Sequence, residues 1–193
     1  MAARNKFQPL LAGMALLCYP GYLLADFPLS QGETEFNATI LQGSCDWIWN
    51  ETVLNFLPVT TDNIKPETTL EIKPLTAAIQ CNLPLTPQLK ITGNTPFSGN
   101  NNIFLDGSNT RSLGFMLQVD DGSLQAPSLA SFYRDGMAGK AMTNNIPVNL
   151  PTRTQANPPS QQIIWVGLVG MDAGPLKIPG SFSTTLTFTG LIP

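Results

Sequence analysis

The final stretch, Gly180–Pro193, constrains this chain more than any other. Phe182, Leu186, Phe188 and Ile192 share one parity, with Thr184 and Gly190 between them. Period two over this length predicts a β-strand with one apolar face. A sandwich that stops on such a strand leaves an apolar edge or groove that only another segment can cover. Edges of this kind invite pairing with a second chain. The expectation is therefore a β fold that is either aggregation-prone or finished by a partner.

The other terminus reads as a targeting segment. Arg4 and Lys6 form a basic start, Leu10–Leu17 is a short apolar run, and Tyr19-Pro-Gly breaks it before Ala25. This is the layout of a secretory signal peptide, residues 1–25, and the run is shorter than the roughly 20 residues a bilayer requires. Cleavage after Ala25 leaves 193 less 25, or 168, residues, enough for one domain with a core of its own. Arg4 and Lys6 leave with the segment, so ten basic residues fall to eight against thirteen acidic ones, a net charge of −5. With no basic patch, nucleic acid is a poor partner. Charged residues are 12% of the sequence against a usual ~25%, which suits an exported β protein better than a cytosolic enzyme.

Export also settles the cysteines. Cys18 belongs to the signal segment, and Cys45 and Cys81 remain as an even pair, 36 residues apart, which predicts one disulfide. Two cysteines and no histidine do not build a zinc site, and no cofactor or metal is expected.

Between the termini the chain reads as short strands and turns. Phe36, Ala38 and Ile40 alternate towards Cys45; Asp46–Asn50 and Thr52–Phe56 continue in short extended pieces. Leu70 and Ile72 alternate with charges, and Ala77–Cys81 is a second piece ending on a cysteine. Leu89–Thr92 lies between prolines. Ser112–Asp120 is strongly β-like and closes on the turn Asp121-Gly122. Residues 123–145 read as loop with one short element. Pro147 limits Ile146–Leu150 to an edge, and Gln162–Met171 is continuous enough for a central strand. No helical period runs beyond two turns. The sum is an all-β sandwich.

Catalytic patterns are sparse. Without histidine there is no Ser-His-Asp or Cys-His arrangement. Asp120-Asp121 is a carboxylate pair, but a hairpin turn closed by Gly122 accounts for it more simply. Trp165 sits in the apolar run and reads as core. Trp47 and Trp49 share parity with Cys45 and read as packing on the disulfide or, alternatively, as a stacking surface for a sugar.

Taken in order, these residues resemble a pilin subunit of the bacterial chaperone–usher pathway, of the type 1 and P fimbria kind. The motifs are the signal segment with a short polar extension, the strand Thr34–Cys45, the second cysteine closing Leu75–Cys81, the strand Leu113–Gly122 ending in Asp-Gly, and the terminal strand opening on Gly180. The resemblance spans the chain after residue 25. It implies an incomplete immunoglobulin-like β-sandwich lacking its final strand, with one disulfide, completed by donor-strand exchange. The terminal strand (Gly180, Phe182, Thr184, Leu186, Phe188, Gly190, Ile192) would line the groove taken first by a periplasmic chaperone and then by the next subunit. Residues 26–34 would be the donor extension, carrying Phe27, Leu29 and Gly32, and 35–193 the pilin domain. The implied partners are the chaperone, an outer-membrane usher and neighbouring fimbrial subunits, with host glycans met only through the assembled fibre. Two departures stand out: the penultimate residue is Ile192 where the family usually has an aromatic, and Phe27 and Leu29 share a parity that Gly32 does not. These favour a minor or adaptor subunit over the major shaft subunit. The alternative is a carbohydrate-binding adhesin-type module at the fibre tip; a secreted enzyme on the same scaffold is a third, weaker reading.

Overall fold

The computed structural model describes residues 43–95, 100–106, 113–154, 159–171 and 182–193. The signal segment, the donor extension with Phe27, Leu29 and Gly32, the alternation Phe36–Ile40, and Gly180 lie outside the described residues.

Two antiparallel sheets face each other. The larger has five strands in the order β1 (Cys45–Trp49), β2 (Thr68–Cys81), β7 (Ser160–Gly170), β5 (Leu113–Val119) and β4 (Ile103–Phe104). The smaller has three, β6 (Val148–Asn149), β3 (Gln88–Thr92) and β8 (Thr187–Leu191). Strand β7 holds the centre of the larger sheet, paired with β2 and β5, as its unbroken apolar run requires. Its alternate residues serve two layers. Ile164, Val166 and Leu168 enter the main core with Leu89 and Ile91 of β3, while Trp165 and Val169 face the other way.

That outer face is covered by a helix absent from the expected list of strands, α1 (Leu129–Asp135). Ser128 caps it, its hydroxyl oxygen accepting from the Ala130 N–H. Phe132 lies fully buried against Gly167, where an added Cβ would stand 2.2 Å from the ring. Gln118 Nε2 donates to the Phe132 carbonyl at 2.7 Å, fixing the helix on β5.

Four further expectations are corrected. Leu70–Lys73 and Ala77–Cys81 are one 14-residue strand, β2, that runs through Pro74. Thr52–Phe56 joins no strand and bends at Thr52, and the terminal strand is shorter than its sequence period, with ladder pairing only over Thr187–Leu191. The Asp121-Gly122 turn exists, but it leads to α1 and closes no hairpin. There the buried Asp120 carboxylate accepts from the N–H groups of Gly122 and Leu124 and from Trp165 Nε1. Trp165 is buried as expected, in the outer layer.

Candidate functional site: the open side of the sandwich

Strands β1 and β8 are edge strands of opposite sheets. Cys45 and Cys81 face each other in the β1–β2 register and form the predicted disulfide, with Cα atoms 4.0 Å apart. The bond pins the start of β1, and the alternation that follows turns Trp47 and Trp49 inward while Asp46 and Ile48 stay exposed. On β8, residues Thr187–Leu191 pair with Thr92–Gln88, and among the described residues nothing pairs with its other edge.

The two edges run antiparallel along one side of the sandwich. The indole of Trp47 lies against Gly190, where a Cβ would meet its ring atoms at 2.6 Å. Trp49 packs on Phe188 with ring centroids 4.8 Å apart. Further along, Phe56 and Phe182 both rest on Phe115 of β5, at 5.3 and 5.8 Å. Each step up one rim thus matches a step down the other. Contact across the side is made by the ends of large side chains, and no backbone hydrogen bond joins the rims among the described residues.

Burial is lopsided as a result. Leu89, Ile91, Leu117, Ile164 and Leu168 are fully buried at the heart of the core. Trp47, Trp49, Leu54, Phe56, Val59, Phe182, Leu186 and Phe188 pack on the same core but stay half-buried. The core is unsealed along this side, which forms an apolar groove floored by Phe115. Such a surface rarely stays uncovered in a soluble protein.

The terminal segment is placed as follows. Phe182, Leu186 and Phe188 face the core, Thr184 shares their side, Gly190 meets Trp47, and Ile192 lies beyond the strand, 42% exposed. Before β8 the segment is held by a carboxylate: Thr185 N–H donates to Asp106 Oδ2 at 2.7 Å, and Asp106 N–H donates to the Ser183 carbonyl. The Thr184 hydroxyl is buried with no hydrogen-bond partner among the described residues. The opposite rim, residues 50–59, escaped recognition as a rim. Its signal was the inward alternation Leu54, Phe56 after Trp47, Trp49.

Trp47 and Trp49 stack on each other at 6.3 Å with their inner surfaces on Gly190 and Phe188. Their place is the groove, and neither packs as an outward sugar platform. Elsewhere, titratable groups serve the scaffold. The Ser123 N–H holds the exposed Asp121 carboxyl below its ordinary value, and burial lowers the Arg153 guanidinium, whose Nη2 donates to Gln162 Oε1 at 2.6 Å. Among the described residues no group of three or more Cys, Asp or Glu side chains stands together as a metal site.

No family model and no curated protein matches the chain. Among solved structures it is similar to the P pilus rod subunit PapA, with a TM-score of 0.53 and 14% identity over 83% of this chain and 100% of that one. It is also similar to the CupB6 tip adhesin from Pseudomonas aeruginosa, at a TM-score of 0.35 and 18% identity over 77% of this chain and 43% of that one. The second likeness is too slight to carry weight. The first is a likeness of fold: the described chain shares the sandwich fold of the P pilus rod subunit.

Proposed function

We propose that the chain is a structural subunit of a bacterial surface fimbria, polymerised by donor-strand exchange and supporting cell adhesion. The observation that carries this reading is the open side. Two antiparallel rims of half-buried apolar side chains, one disulfide-pinned and one formed by the terminal strand, lie over the buried Phe115 with no strand between them among the described residues. A strand laid along β8 would gain main-chain hydrogen bonds from its free edge and bury its alternate side chains against Phe115, Phe182, Leu186 and Phe188. Burial at about 25 cal/mol per Å2 of apolar surface would stabilise the join.

In this reading a periplasmic chaperone supplies the strand first. At the outer-membrane usher the extension 26–34 of another subunit replaces it, and the product is carried to the cell surface. The irregular extension and Ile192 favour a minor or adaptor position. A tip-adhesin role finds less support, since the tryptophans suited to a sugar are spent on the groove. The extension is tested by deleting residues 26–34. The shortened subunit should still be captured by the chaperone but should be missing from interior positions of fibres; its recovery there would refute the donor role.

A further inference from the structure

A second feature of the open side concerns how its first rim is held. Strand β1 pairs with β2 as far as Trp49 opposite Ala77, and Asn50 N–H still donates to the Thr76 carbonyl at 2.9 Å. There the ladder stops, although β2 continues back to Thr68. Two features of β2 account for the stop. The Asn50–Thr76 exchange turns the backbone groups of Thr76 towards β1, and alternate residues point the same way. The nitrogen of Pro74 therefore lies on this edge and offers no donor. Beyond it stand Glu71 and Lys73, charged residues in register with Leu168 and Val166 and so on the core-facing side of the strand.

These two side chains contact the departing segment directly. Lys73 Nζ donates to the Asn55 carbonyl at 2.6 Å, and Glu71 Oε2 accepts from the Leu57 N–H at 2.8 Å. The pair is closed by Lys73 Nζ to Glu71 Oε1 at 3.3 Å, with Nζ 5.6 Å from the centre of the Phe56 ring. Residues 55–57 are thus bound to β2 through side chains instead of backbone, one side-chain length from the sheet. Phe56, between the two anchored residues, is turned onto Phe115.

We propose that Glu71 and Lys73 are positioning residues that hold residues 55–57 off β2 as a preformed rim, and so keep the groove ready for an incoming strand. The role rests on the docking function proposed above. It demands more than an ion pair. The donor must face the Asn55 carbonyl and the acceptor the Leu57 N–H, so exchanging the two residues keeps the charges but sets donor against donor and acceptor against acceptor.

The test compares the wild type with Lys73→Met, Lys73→Arg and the double exchange Glu71→Lys/Lys73→Glu. Binding of a synthetic peptide of residues 26–34 is measured by titration, and exchange of the Leu57 amide by NMR. The exchanged pair and Lys73→Met should bind the peptide at least tenfold more weakly, with melting temperatures near that of the wild type. The exchanged pair should also lose Leu57 protection at least tenfold, and Lys73→Arg should bind like the wild type. An exchanged pair with wild-type binding or unchanged Leu57 protection overturns the proposal. A wild type that binds no peptide rules out residues 26–34 as the strand this groove takes, and Leu57 exchange still decides whether Glu71 holds the chain.

Discussion

Removing the Cys45–Cys81 bond should loosen the groove before it loosens the core. The two cysteines close a loop with a sequence separation of 36, for which the chain-entropy relation gives about 4 kcal/mol at 25 °C. That is a large part of the ~5–15 kcal/mol that holds a typical domain folded. The loss falls on one element. β1 is joined to the sheet by five register pairs with β2, and it carries Trp47 and Trp49, which are half-buried. Trp165 sits at the centre of the same sheet, paired on both sides. The assay is denaturant and thermal unfolding of Cys45→Ala/Cys81→Ala, followed by tryptophan fluorescence in two backgrounds. Trp165→Phe leaves the rim reporters, and Trp47→Phe/Trp49→Phe leaves the central one. At ~2–4 °C per kcal/mol for a domain of this size, the rim signal should move down by roughly 8–16 °C. The central signal should move less. Rim and centre melting together, with a shift under about 3 °C, would refute the idea that the disulfide anchors this rim.

Three further outcomes are expected. Phe188→Asp places an unpaired charge beside Trp49 in an apolar groove, at about 3 kcal/mol or more; strand or chaperone capture should weaken at least a hundredfold, and normal subunit levels in the periplasm would count against the site. Thr184→Val removes a buried hydroxyl without a partner among the described residues and should stabilise the lone subunit by about 1 kcal/mol in urea unfolding, whereas a loss of that size would mean the hydroxyl is bonded. Gly167→Ala drives a Cβ into the Phe132 ring and should destabilise by about 1–3 kcal/mol with α1 displaced; an unshifted denaturation midpoint would show that the helix packs less closely.

What could be read from the sequence was whatever a local period or pairing rule expresses. The run Gln162–Met171 is apolar from Ile163 onwards because β7 is buried on both faces, so it announced a central strand. The even cysteine pair and the alternation of Phe182, Leu186 and Phe188 were equally local. The misses arose where tertiary context overrode a local sign. Pro74 looked like a break, yet its missing donor lies on the edge that β1 has already left, so β2 runs through unharmed. Helix α1 is two turns long in a stretch rich in Ser, Gly and Asn; its traces were the Ser128 cap and Phe132, and only the cover it gives to Trp165 and Gly167 explains it. Trp47 and Trp49 were correctly given one parity, but their partner is β8, 140 residues on, a distance no periodicity reveals. The rim at residues 50–59 was hidden for a related reason. Glu71 and Lys73 look like an ordinary exposed charge pair until the Asn55 carbonyl and Leu57 N–H are seen between them.

The central claim is that this side of the sandwich is open for a strand from another chain. Co-purification tests it most directly: the full chain is expressed in a bacterial periplasm with and without the fimbrial chaperone of the same cell, and the soluble species are weighed. The account predicts a stable one-to-one complex with the chaperone and loss or degradation of the subunit without it. A soluble monomer that unfolds cooperatively and never engages the chaperone would contradict it.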